Sequence, residues 1–343
     1  MFKNENLYIN SNDFASFADL IYSNRDTYKN KAFEKDTEVI EINNDPKFNC
    51  VVYKKIIFDI SSGDVIFCNS NHIDNLFFHL KKFRDLENIT LVTHQTDKLV
   101  TKKQFTKKPD CVTTWYSVNV SFESESLKPI PIGIASDFSF KNLTSKDFPN
   151  FNPNNYKKNQ INLYINFQTN TNYSERKGLY KQFANENWVN FDSPNLDKNL
   201  YLSKLQKASF VLCPWGNGID THRFWEALYS GSIPITKFHP TYSTAKNLPV
   251  LFVDDYKKID HRLLEEFMTN LDLRDYDFSV LTKEYWINIL KEKKVMEVKF
   301  NKVVEKKFET LFFKFKRDLI KYLNLLTKRY KTLINRLIKK IWN

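Results

Sequence analysis

Residues 209–236 read SFVLCPWGNGIDTHRFWEALYSGSIPIT, and the rest of the chain is organised around them. Phe210, Val211 and Leu212 form a short apolar run of the kind a buried strand requires, and Ile233, Pro234 and Ile235 form another. Between them lie a glycine-bearing loop and one helix. Gly216, Gly218 and Gly231 are half of the chain's six glycines, the residue used where backbone turns sharply or a ligand approaches closely. The helix opens near Asp220 or Thr221, either of which can cap it. Its free N–H groups and positive dipole end then face the loop, which suits a phosphate. Phe224, Trp225, Ala227 and Leu228 supply the packed side. Arg223 and Glu226, three apart, share the other face. A cation there fits a diphosphate, and a carboxylate one turn on fits paired hydroxyls such as those of a ribose. Gly231 provides the C-terminal stop. The glycine spacing departs from G-x-G-x-x-G, so dinucleotide binding is not indicated.

Residues 216–235, GNGIDTHRFWEALYSGSIPI, resemble the donor-site signature of exostosin-like glycosyltransferases and their bacterial and viral relatives. Shorter pieces extend the resemblance over residues 90–255: NLYINFQ from Asn162, YSER ending at Arg176, THQTD at 93–97 and PIPIGI at 129–134. The resemblance implies a GT-B fold: two Rossmann-like doubly wound α/β lobes facing a cleft, with the nucleotide sugar in the C-terminal lobe. It places Glu226 on ribose hydroxyls, and Arg223, Arg176 and the N–H groups of Gly216, Asn217 and Gly218 on the diphosphate. Asp220 and His222 complete the donor-binding set. It also implies that Arg, Lys and helix-end N–H groups meet the leaving-group charge without a metal. Pro214-Trp215 stands where relatives often carry Pro-Arg, which leaves the phosphate charge to Arg223 and Arg176.

A chain of 343 residues accommodates two domains with cores of their own, and its 42% hydrophobic and 15% aromatic content fits a globular protein. The expected organisation is an N-terminal acceptor-side lobe over 1–145, a nucleotide-sugar lobe over 160–298 and a tail over 299–343. Cys50, Cys68, Cys111 and Cys213 are widely spaced with no C-x-x-C, which points to free thiols in a reducing compartment. No secretory leader opens the chain and no run of 18 apolar residues occurs, so a cytoplasmic protein is expected. The net charge of +12 is concentrated: residues 300–343 hold about 13 Lys or Arg against about 3 acids. The folded body is then nearly neutral, which argues against a nucleic-acid-binding surface.

Along the N-terminal lobe, residues 14–22 read as a helix, and 39–40, 51–60, 64–68, 89–93 and 112–120 as strands. A polar stretch with Pro149 and Pro153, over 141–159, reads as the interlobe linker. Beyond it, 161–167 reads as a strand, 174–185 as a helix capped by Ser174, 200–208 as a helix, 250–253 as a strand, and 260–270 and 283–293 as helices. His94 and Asp97 sit just past a strand's C-terminal end, where open α/β sheets bind ligands, and are the candidate catalytic base for an acceptor hydroxyl. His72 and Asp74 form a second pair on the preceding loop. His239 and His261 lack sequence partners, and Asp254-Asp255 does not make a metal site.

In the tail, Leu319, Leu323, Leu326, Tyr330, Leu333/Ile334, Leu337 and Ile341 recur at steps of three and four, with Lys and Arg mostly outside that stripe. Such a basic amphipathic helix over 316–342, ending at Trp342, suits peripheral attachment to an anionic membrane surface on its cytoplasmic face. The expected function is transfer of a sugar from a nucleotide sugar, with a UDP-sugar favoured, to a glycan or lipid-linked acceptor in surface polysaccharide biosynthesis. Two rivals are a fucosyltransferase-like GT-B enzyme using a GDP-sugar and a non-enzymatic basic adaptor for membrane or nucleic acid.

Overall fold

The computed structural model describes residues 7–22, 27–28, 43–45, 50–52, 57–136, 139, 141–148, 151–291, 300–304 and 306–341. They build two five-stranded parallel sheets, each with helices between its strands. The first comprises β1 (Leu20–Tyr22), β2 (Val65–Asn69), β3 (Ile89–His94), β4 (Val112–Ser117) and β5 (Leu127–Pro129), adjacent in chain order and parallel throughout. Every residue of β2 and β3 is buried, as expected of parallel strands covered on both faces, which read as apolar runs and not as alternation.

The second sheet contains β6 (Leu163–Ile165), β7 (Val189–Phe191), β8 (Phe210–Leu212), β9 (Ile233–Lys237) and β10 (Leu251–Val253), in the order β7-β6-β8-β9-β10. The chain leaves β6 for its neighbour β7, then crosses back to β8 on the other side. The strand order therefore reverses between β6 and β8, and the loops leaving their C-terminal ends diverge. In open α/β sheets that divergence opens a ligand crevice. The loop after β8 is the glycine loop, so topology and sequence point to the same place.

Helix α1 (Ser11–Phe17) ends earlier than the sequence pattern predicts. Asn10 starts it with a capping box shared with Asp13, and Leu20, Ile21 and Tyr22 then pair with β2. Sheet pairing overrides the helical periodicity at these branched and aromatic residues. Helix α2 (Ile73–Leu80) follows β2, α3 (Lys198–Lys207) follows β7, and α4 (His222–Tyr229) follows β8. The helix expected over 174–185 is divided into Tyr173–Arg176 and Leu179–Phe183 by Gly178 at φ +83°. Its cap is the Asn172 side chain, not Ser174.

The polar stretch read as the interlobe linker contributes buried aromatics to the core. Phe148, Phe151 and Tyr156 are buried, and the Tyr156 hydroxyl donates to the Leu228 carbonyl at 2.6 Å. Tyr8 stacks on Phe148 at 5.2 Å and packs tilted against Tyr229 at 4.9 Å, the three rings clustering together. Helix α5 (Lys283–Lys291) crosses back to the first lobe, where Trp286 lies 5.5 Å from Phe14 and Lys283 pairs with Asp13 at 2.9 Å. One hydrophobic core thus joins a face of the first sheet to the second lobe. The tail also starts against the first lobe: Phe300–Val304 pairs antiparallel with Ile57–Ser61. Helix α6 (Lys307–Ile341) then sets Phe313 5.6 Å from Phe78 of α2. The strand expected at 39–40 and the terminal Trp342 lie outside the described residues. Cys68, Cys111 and Cys213 are buried free thiols.

Candidate active site

A cavity of about 380 Å³ lies between the lobes at the reversal of the second sheet. Its walls combine Asp97, Ile132, Lys141, Asn142 and Leu143 from the N-terminal side with Asn166, Gln168, Arg176, Tyr201, the 216–218 loop, Asp220, Thr221, His222, Arg223 and Glu226. Of the donor-binding residues and the leading catalytic pair expected from the sequence, only His94 is absent from these walls.

Arg176 is 4% exposed and lies beneath the glycine loop. Its Nε donates to the Trp215 carbonyl at 2.9 Å, Nη2 to the Pro214 carbonyl at 2.9 Å, and Nη1 to the Gln168 carbonyl at 2.7 Å and to the Thr171 hydroxyl. The guanidinium also sits 5.3 Å from the centre of the Phe167 ring. All these acceptors are neutral oxygens, so the side chain holds the loop in place while its charge stays uncompensated. Burial, reinforced by the charge of Arg223, lowers its pKa to about 10. A Cβ on Gly216 would stand 3.1 Å from Arg176 Nη2, and the Gly216 N–H closes a tight turn on the Gly218 carbonyl at 2.9 Å. The loop therefore passes close over a cation.

Arg223 lies one residue into α4, and its Nε is buried without a hydrogen-bond partner. Among the described residues, neither Arg176 nor Arg223 forms an ion pair. The Oγ1 of Thr221, which stands at the N-cap without making a cap bond, is also buried and unpartnered. Two guanidinium groups, a free hydroxyl and the first turn of α4 thus converge on one cavity, whose carboxylates, Asp97, Asp220 and Glu226, form no ion pair with either cation. Glu226, buried on the same helix, accepts a hydrogen bond from the Tyr201 hydroxyl at 2.9 Å. Burial raises its carboxyl above the ordinary range, while His222, Arg223 and the Tyr201 bond oppose that rise. One oxygen is steadied by Tyr201 from α3, a partner that the spacing of the motif did not disclose.

The N-terminal lobe reaches into the glycine loop. Asn119, at φ +65° and fully buried, accepts the N–H groups of Ile219 and Asp220 on its side-chain oxygen, each at 2.9 Å. Gly218 lies so near that a Cβ would stand 3.0 Å from Asn119 Nδ2 and 3.1 Å from Asp97 Oδ1. Asp220 returns the contact: its Oδ2 accepts the Ile132 N–H at 2.7 Å, and the Trp225 indole N–H lies 2.8 Å from Oδ1. Burial pushes the Asp220 carboxyl up to about 7, against the N–H donors of Ile132, Trp225 and Thr221, which favour its ionised form. Both carboxylate oxygens are committed to protein contacts, so Asp220 joins the lobes and does not cap the helix. His222 makes a third link, its Nδ1 lying 2.7 Å from the Gly133 carbonyl. Donation there leaves Nε2 as the acceptor of the neutral ring.

The two expected catalytic candidates are separated by their surroundings. His94 is 1% exposed. Its Nε2 lies 3.2 Å from the Pro131 carbonyl, and its Nδ1 accepts the Gln95 N–H at 2.7 Å. Burial drives its pKa down to about 3, against the Pro131 hydrogen bond. With both nitrogens occupied and the ring against Phe14, it fixes the chain at the end of β3 and offers nothing to the cavity. Asp97 is exposed and lines the cavity beside Gly218. His72 is buried, and Asp74 lies 3.4 Å from Lys316 of the tail, so that pair is elsewhere. His239 contacts Thr241, and His261 pairs with Glu265. Among the described residues, no group of three or more His, Cys, Asp or Glu could hold a metal ion.

No family model matches the chain, and no curated protein does. Among solved structures, the chain is similar to AviGT4, a glycosyltransferase involved in avilamycin A biosynthesis, at 12% identity and a TM-score of 0.33. The match covers 67% of this chain and 75% of that one. At that distance it carries no weight for activity or substrate.

Proposed function

We propose that the chain is a glycosyltransferase that holds a nucleotide sugar in the cavity between its lobes. The observation that carries this reading is the pair of guanidinium groups beside the glycine loop, one with neutral hydrogen-bond partners and the other with a buried unpartnered Nε. Buried positive charge without an ion-pair partner is costly, and a diphosphate between Arg176, Arg223 and the 216–218 loop would supply one to both. The cavity volume of about 380 Å³ falls within the roughly 300–1,000 Å³ typical of small-molecule sites.

In this reading Glu226, steadied by Tyr201, accepts the ribose hydroxyls, and the sugar extends towards Asp97. The Asp97 carboxylate takes the acceptor hydroxyl's proton. The acceptor oxygen bonds to the anomeric carbon as that carbon's bond to the diphosphate breaks, and the leaving charge is met by Arg223, Arg176 and the N–H groups of the loop. The donor is a UDP-sugar and the acceptor a glycan or a lipid-linked glycan.

Calorimetric titration with UDP and GDP tests the site. UDP binding that falls about 10- to 100-fold in Arg223→Ala and Glu226→Ala, each removing a hydrogen bond involving a charged group, is expected. Unchanged binding in both variants would overturn the assignment. Preference for GDP would move the donor to the guanine class.

A further inference from the structure

Helix α6 takes no part in the cavity between the lobes. Phe308, Leu311, Phe312, Phe315, Leu319 and Leu323 recur along it at steps of one, three and four, which puts them on one side. All are exposed, Phe308 by 78% and Phe315 by 67%. Monomeric proteins rarely leave a contiguous apolar patch larger than a few hundred Å² open to water. At its start the stripe runs into a groove of about 650 Å³ between α6 and α2, walled by phenylalanines that include Phe78 and Phe312, with Lys81 and Lys107 among its lining. Nearby, Lys316 and Lys82 are paired with Asp74 and Glu309 at 3.4 and 3.1 Å. Lys81 and Lys107 have no ion-pair partner among the described residues. Residues 307–341 carry eleven Lys or Arg against Glu309 and Asp318.

We infer that this surface docks on an anionic lipid bilayer. The helix lies in the interfacial plane with its apolar stripe among the acyl chains, and lipid phosphates rest on Lys81 and Lys107 at the groove. Charge decides between the occupants an apolar stripe could take. A second copy would bring another helix of net charge +9 against the first, whereas a phosphate-bearing surface complements it. No helix among the described residues is long and apolar enough to cross a membrane, so the contact is lateral. This assignment stands apart from the nucleotide reading. Together they place the cavity on a protein held at the surface where a lipid-carried acceptor resides.

Flotation of the full chain with phosphatidylcholine vesicles, with and without phosphatidylglycerol, tests it. Binding only to the phosphatidylglycerol vesicles, weakening as salt is raised, is expected. Phe312→Asp combined with Phe315→Asp alters exposed positions, with folding checked by circular dichroism, and should abolish binding. Lys81→Gln with Lys107→Gln should weaken it about 25-fold, at about fivefold for each lost charge. Equal binding to both vesicle types, or to neither, overturns the inference. So does a dimer in vesicle-free buffer that the Phe312→Asp, Phe315→Asp variant dissociates. UDP titration of the same preparations separates failure of this inference from failure of the nucleotide reading.

Discussion

Asp220 ties the lobes together at the base of the glycine loop, and replacing it with asparagine should change how stability depends on pH. In the folded protein burial raises its carboxyl to about 7, against about 3.9 in an unfolded chain. Between those values the folded state binds more protons than the unfolded state, so stability falls as pH rises. Three units at about 1.36 kcal/mol each amount to about 4 kcal/mol, present below pH about 4 and lost by pH about 7. The substituted amide has no proton to lose. Its nitrogen must instead face either the Ile132 N–H or the Trp225 indole N–H, which now meet the two carboxylate oxygens at 2.7 and 2.8 Å. An unmet buried donor costs about 1–3 kcal/mol. Asp220→Asn should therefore be clearly less stable than the parent near pH 4 and close the gap, or overtake it, by pH 8. Urea unfolding followed by tryptophan fluorescence across that range measures the difference. Parallel stability curves for the two proteins would refute the reasoning, because they would mean that Asp220 is ionised in the folded state throughout.

Gly231 is at φ +70°, where a Cβ would stand 2.5 Å from Asn155 Cβ; Gly231→Ala should cost about 2–4 kcal/mol in urea unfolding, from backbone strain and overpacking together. Gly63→Ala, at φ +83° with nothing within 4 Å, should cost only the strain, about 1–2 kcal/mol. Tyr201→Phe removes the hydroxyl that steadies Glu226 and should weaken UDP binding about 2- to 10-fold by calorimetry. Asp97→Asn should lower kcat by about 100- to 10,000-fold with UDP affinity retained. His94→Phe should instead lower stability while leaving the shape of the pH–rate profile intact; a lost limb in that profile would restore His94 as the base.

Much of the candidate site was legible because its parts are local. The glycine spacing, the apolar side of α4 and the three-residue step from Arg223 to Glu226 are properties of one 28-residue stretch, and helix geometry alone carries them to one place. The misreadings share a different origin. The polar count over 141–159 concealed three aromatics, Phe148, Phe151 and Tyr156, whose burial turns that stretch into part of the core; weighting those side chains above the prolines would have found it. His94, the last residue of β3, and Asp97, in the bend after it, sit three apart, and no local pattern tells which faces the cavity.

Taken alone, the sequence determined the strand–loop–helix unit, the apolar parallel strands and the segregation of basic charge to the tail, because each depends on residues within a few positions of one another. The tertiary structure alone decided that Asn119 grips the N–H groups of Ile219 and Asp220 from a hundred positions away. It likewise decided that Asp220 serves the other lobe, that the charge of Arg176 has only neutral oxygens for company and that His94 is sealed. Whether a polar group is spent on the fold or left for a ligand depends on what packs against it from distant parts of the chain, and that is settled only when both sheets are in place.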